Sequence, residues 1–169
     1  DRYQKRDAPL GPMPHRIHYT PKANSNRGLL DVLRELGAGV DIVSGGELFR
    51  ALRAGFSGKD VIFGGVGKTE RELREALEAG VLLINAESEA EIRLLDRIAG
   101  ELGVTAPVGI RVNPEVTVDS SPRYIRNGET GATCGARVAE AQELRRSQRG
   151  VPARHRSSTP TPVVRELMT

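Results

Sequence analysis

With 169 residues, 38% hydrophobic and 28% charged, the chain carries enough apolar content to bury one medium-sized core, which excludes an intrinsically disordered protein. No apolar run approaches the ~20 residues of a helical membrane span. The single cysteine, Cys134, excludes an intrachain disulfide framework and suits a reducing cytoplasm. The charged stretch from Asp1 to Asp7 does not read as a signal peptide. The chain also starts without methionine, as a fragment of a longer protein would.

Residues 1–14 are polar and hold Pro9, Pro12 and Pro14, which reads as a lead-in without regular structure. A repeating unit follows over 15–149. His15–Tyr19 is strand-like, and a helix is expected over Asn26–Leu36 with Leu29, Leu33 and Leu36 on one face. Gly37 and Gly39 end that helix. Val40–Val43 forms the next strand, and Ser44-Gly45-Gly46-Glu47 opens a helix expected to bury Leu48, Ala51 and Leu52. Val61–Phe63 then precedes a helix over Thr69–Glu78, and Val81–Ile84 precedes one over Ser88–Leu102. Val108–Val112 is the fifth strand. The spacings Ser44…Glu47, Thr69…Glu72 and Ser88…Glu91 are those of capping boxes.

Short apolar strands alternating with helices predict a parallel sheet with right-handed crossovers. Either an open doubly wound sheet or a (β/α)8 TIM barrel satisfies that pattern, and the even repeat favours the barrel. A whole barrel has eight units in about 250 residues, so five strands make a partial one. Beyond Asn113 the pattern degrades, with a polar loop over 114–126 and one further helix expected over Val138–Ser147. Residues 150–169 read as an irregular Pro/Ser/Arg-rich tail. Arg137, Arg145, Arg146, Arg149, Arg154 and Arg156 cluster near it, but without the interleaved aromatics or zinc pattern of a nucleic-acid site. Neither nucleic acid nor a membrane is an expected partner.

The chemistry-bearing candidates lie at strand C-terminal ends, where α/β folds keep their reactive groups. Lys22 follows the first strand, Asp41 sits within the second and Arg111 within the fifth. A lysine amine in that place can form a Schiff base with a carbonyl, including that of pyridoxal phosphate. A solvated surface charge is the commoner role of such a lysine, and spacing alone does not choose between them. Asp41 and Arg111 are costly inside apolar strands without partners, so pairing among these three residues is the plain structural alternative. Gly64-Gly65-Val66-Gly67-Lys68-Thr69 invites a phosphate-loop reading, which fails because Ile62 stands where the first glycine belongs. Glu47 is explained by its capping role. His15, His18 and His155 are too dispersed for a metal site.

Several runs resemble one family closely. His15-Arg16-Ile17-His18-Tyr19…Lys22-Ala23-Asn24-Ser25-Asn26, Leu36–Leu48, Gly67-Lys68-Thr69, Ala76–Gly80 and Arg111-Val112-Asn113-Pro114 are similar to the bacterial diaminopimelate decarboxylases. These belong to the alanine-racemase-like, fold-type III pyridoxal-phosphate enzymes, and the resemblance spans residues 14–118. It implies a pyridoxal-phosphate-binding barrel, an amino-acid substrate, α-decarboxylation and a homodimer in the intact family. It further implies that Lys22 is the Schiff-base lysine, with Asp41 beside it and Arg111 in the cofactor network. Diaminopimelate is the expected substrate, with ornithine, arginine or carboxynorspermidine as the runner-up.

After Asp119 the resemblance thins, and Ser121-Pro122-Arg123-Tyr124-Ile125 and Gly131–Gly135 only echo the family's segments. Arg154-His155-Arg156-Ser157-Ser158 stands near the place of a His-x-His-x-Gly-Ser motif, and its role is not transferred to His155. The change of composition near residue 150 predicts a truncated or frame-shifted product with little turnover of its own. A non-catalytic relic is the alternative reading.

Overall fold

The computed structural model describes residues 2–11, 13–113 and 136–137. Where the sequence predicts an irregular lead-in, helix α1 covers Arg2–Asp7 and a 3-10 turn covers Ala8–Leu10. The three prolines all follow Asp7, so the stretch ahead of them holds no helix breaker.

Strands β1 (His18–Tyr19), β2 (Gly39–Ile42), β3 (Val61–Phe63), β4 (Leu83–Ala86) and β5 (Val108–Ile110) form one parallel sheet in chain order. The connecting helices are α2 (Arg27–Glu35), α3 (Gly45–Arg53), α4 (Glu70–Glu78) and α5 (Glu89–Leu102). An unbroken 1-2-3-4-5 order has no switch point, which is the arrangement of a barrel wall and not of a doubly wound sheet.

One face of each strand meets the helices. Val40, Ile42, Val61, Phe63, Ile84 and Ala86 are buried in a single apolar cluster with Leu48, Ala51, Leu73, Ala76, Leu95 and Ile98 of the helices. Side-chain alternation therefore sends Asp41, Ile62, Leu83 and Asn85 to the other face, the interior of the barrel. Leu52 is 39% exposed, against expectation, and in α2 the buried residue is Leu30, not Leu29, Leu33 or Leu36. The helical period marks an apolar stripe, but the helix's roll against the sheet decides its centre.

Boundaries shift where backbone groups are claimed elsewhere. Val81 N–H donates to Ala76 O at 3.2 Å, closing the end of α4, so β4 begins two residues later than the apolar run. The fifth strand stops at Ile110, and Val112–Asn113 instead forms β6, paired in parallel with β7 (Ala136–Arg137). The capping box at Thr69 and Glu72 is complete. At Ser44 and Ser88 the hydroxyl accepts the expected N–H, but the Glu47 carboxylate takes Val43 N–H at 2.8 Å and that of Glu91 takes Lys68. The expected loop over 114–126, the helix over Val138–Ser147 and the 150–169 tail lie outside the described residues, as does most of the arginine cluster.

Candidate active site

The turn after β1 carries Lys22. Ala23 N–H donates to Thr20 O at 3.2 Å, and Tyr19 Oη donates to Asn24 O at 3.0 Å, fixing the path of the chain. Asn24 Oδ1 then accepts Asn26 N–H, and Asn26 Oδ1 caps α2 by accepting Gly28 N–H, both at 2.9 Å. Pro21 is buried and Lys22 exposed, so the amine stands free of the core at the C-terminal side of the sheet.

Asp41 is on β2, in register with Ile62, and its Oδ1 is buried. Arg111 follows β5 directly; its N–H donates to Ala86 O at 3.0 Å and its Nη1 to Glu87 Oε1 at 2.9 Å. Lys22 follows β1 and Arg111 follows β5 at the C-terminal end of the sheet, while side-chain alternation puts Asp41 and Arg111 on its interior face. Of the mutual pairing weighed from the sequence, Lys22 takes no ion-paired part among the described residues, and Arg111 is bridged to Glu87.

The interior is open beside these groups because glycines face it. A Cβ on Gly64 would stand 3.4 Å from Asp41 Oδ1, and one on Gly109 would stand 2.9 Å from Asn85 Oδ1. Any larger side chain would occupy the space those polar atoms border.

Sequence reasoning missed Glu87, Lys68 and Glu91. Glu87 sits one residue before the cap Ser88, at a strand end like Arg111, and matching acids with bases across neighbouring strand ends would have found it. Lys68, which the failed phosphate-loop pattern leaves without a role, is buried, and its Nζ donates to Gly65 O, Asn85 O and Glu91 Oε1 at 2.7, 2.7 and 2.6 Å. The N-terminal amides of α4 are likewise engaged internally, by Thr69 Oγ1 and Glu72. Among the described residues no cluster of His, Cys, Asp or Glu could hold a metal ion, and no helix is long and apolar enough to cross a membrane.

Residues 2–150 match the family described as pyridoxal-dependent decarboxylase, pyridoxal binding domain. The chain belongs to this family. Among curated members of the pyridoxal-dependent decarboxylases, the diaminopimelate decarboxylase of Pseudomonas aeruginosa is 50% identical over 135 residues, 80% of this chain and 32% of that protein. The Vibrio cholerae enzyme of the same name is 44% identical over 146 residues, 86% of this chain and 35% of that protein. The chain therefore spans about a third of the length of these relatives.

Solved pyridoxal-dependent decarboxylases superpose on the fold. The Helicobacter pylori diaminopimelate decarboxylase complexed with L-lysine gives a TM-score of 0.79 at 35% identity, covering 84% of this chain and 36% of that one. That from M. jannaschii, also in complex with L-lysine, gives 0.73 at 30% identity, covering 89% and 35%. The partial barrel expected from the sequence is the observed fold.

Proposed function

We propose that the chain is the cofactor-binding part of a cytoplasmic, homodimeric decarboxylase that converts meso-diaminopimelate to lysine and carbon dioxide. The observation that carries this reading is the 50% identity to a diaminopimelate decarboxylase over 80% of the chain. Pyridoxal 5'-phosphate, when bound, supplies the electron sink that accepts the electron pair left by the departing carboxylate.

The residues here suit that group. Lys22 offers an exposed primary amine on a turn held at both ends, the donor an aldehyde needs. Asp41 presents a carboxylate from the barrel interior, beside a glycine that leaves room for a flat ring. Its negative charge favours a protonated nitrogen nearby. Arg111, oriented by Glu87, brings a fixed cation to the same end of the sheet, where an anionic group can be held. Ile62 and Leu83, adjacent in register on the two strands between Asp41 and Arg111, line that face with apolar side chains.

The test reads attachment, not turnover, because the chain spans about a third of the length of its relatives. The purified chain is incubated with pyridoxal phosphate, reduced with borohydride and mapped by peptide mass. Selective modification of Lys22 is expected. Modification scattered over Lys5, Lys59 and Lys68, or none, overturns the assignment.

A further inference from the structure

The Gly67-Lys68-Thr69 run has no role in the function proposed so far, yet Lys68 is the most completely satisfied charge among the described residues. Its side chain is 1% exposed. All three ammonium hydrogens are used, on Gly65 O, Asn85 O and Glu91 Oε1, and the Phe63 ring lies 5.7 Å away. A buried ion pair is a poor device for stability alone, since apolar residues of equal volume do as well. What it gains is geometry, and here the geometry converges on one tripeptide.

Lys68 holds Asn85 through its carbonyl, and Glu91 Oε2 accepts the N–H of Glu87 at 3.4 Å. The residue between them, Ala86, accepts Arg111 N–H, and Glu87 itself, its side chain 6% exposed, accepts the Arg111 guanidinium. The backbone N–H and the guanidinium of Arg111 thus both land on a segment clamped at its two ends by one lysine–glutamate pair. Asn85 also turns its side chain toward the space beside Gly109.

We propose that Lys68 and Glu91 are positioning residues that set the orientation of Arg111 at the cofactor site, an inference that rests on the function proposed above only for what Arg111 binds. Neither touches the reacting atoms. Their effect passes through Asn85, Glu87 and Arg111, across β3, β4 and β5.

The test uses Lys68→Met, which keeps the stem and removes the charge, and Glu91→Gln, which keeps the shape, in the full chain. Far-UV circular dichroism checks folding. The first readout needs no cofactor: the Arg111 guanidinium resonance, assigned with Arg111→Lys, is expected to move toward the position of exposed arginines such as Arg93. A folded Lys68→Met variant with an unchanged Arg111 resonance overturns the proposal, and if that variant does not fold, Glu91→Gln decides by the same signal. The second readout is affinity for pyridoxal phosphate, expected to weaken about tenfold in Lys68→Met and to weaken no further when Arg111→Gln is added. Additive losses overturn the proposal. Failure of the wild-type chain to bind pyridoxal phosphate would defeat the function proposed above, while the Arg111 resonance would still decide this one.

Discussion

The carboxylate of Glu72 in α4 accepts the backbone N–H of Gly45 at the start of α3, at 2.8 Å and across 27 residues of sequence. The same carboxylate accepts Thr69 N–H at 2.9 Å and the Thr69 hydroxyl at 2.7 Å, so one acid caps two successive helices. Gly45 permits this approach, since a Cβ there would come within 2.9 Å of Glu72 Cγ. The loop after β2 is thereby fastened to the helix after β3.

Glu72→Ala takes the acceptor away from the N–H groups of Gly45 and Thr69 and should cost about 2 kcal/mol, measured by urea denaturation at neutral pH. The Gly45 N–H, and after it the N–H and hydroxyl of Thr69, hold the Glu72 carboxyl below its ordinary value of 4.5. A depressed value means the stabilisation is complete above pH 4.5 and is lost as pH falls through the folded value. The wild type and Glu72→Ala should therefore converge in stability in acid. An equal gap at all pH values would show that the carboxylate's charge plays no part.

Two histidines three residues apart should act in opposite directions around pH 6.5. Both ring nitrogens of His15 face acceptors, Met13 O at 2.6 Å and Asp7 Oδ1 at 2.9 Å, and only the imidazolium can donate to both. Its value is raised, first by Met13 O and then by Asp7, so its contribution is present below pH 6.5 and lost as pH rises through the folded value. His18 is lowered by burial, so its contribution is present above pH 6.5 and lost as pH falls through the folded value. Thermal melts across this range should show His15→Gln losing most below pH 6.5, while His18→Gln removes part of the acid-side decline.

Gly58 and Gly100 should respond oppositely to alanine. A Cβ on Gly58 would run into the backbone carbonyl of Ala79, which cannot swing aside, so Gly58→Ala should destabilise by about 3 kcal/mol. Nothing lies within 4 Å of a Cβ on Gly100, inside α5, so Gly100→Ala should stabilise by about 0.5–1 kcal/mol through helix propensity. Melting curves of the two variants measure both effects.

Gly64→Ala separates folding from cofactor binding. Its Cβ would rest 3.4 Å from Asp41 Oδ1, an ordinary contact, so the melting temperature should hold. Modification of Lys22 by pyridoxal phosphate and borohydride should fall about tenfold, because the added methyl occupies the space proposed for the ring. Undiminished modification would place the ring elsewhere.

Much of this protein was legible in one dimension. The alternation of short β-branched runs with capped amphipathic stretches is a local property, and it located five strands and four of the helices because tertiary packing reinforced what propensity and capping already favoured. The turn around Lys22 was equally legible, since a turn between strand and helix is built from adjacent residues. What the tertiary structure alone decided was pairing. Glu91 leaves its expected cap for Lys68, Arg111 is bridged to Glu87, and Lys68 reaches both β4 and α5, because these partners stand 17 to 24 residues apart and meet only when parallel strands align their C-terminal ends. Sequence order encodes which residue types lie on each strand end, but register and helix roll determine which of them touch.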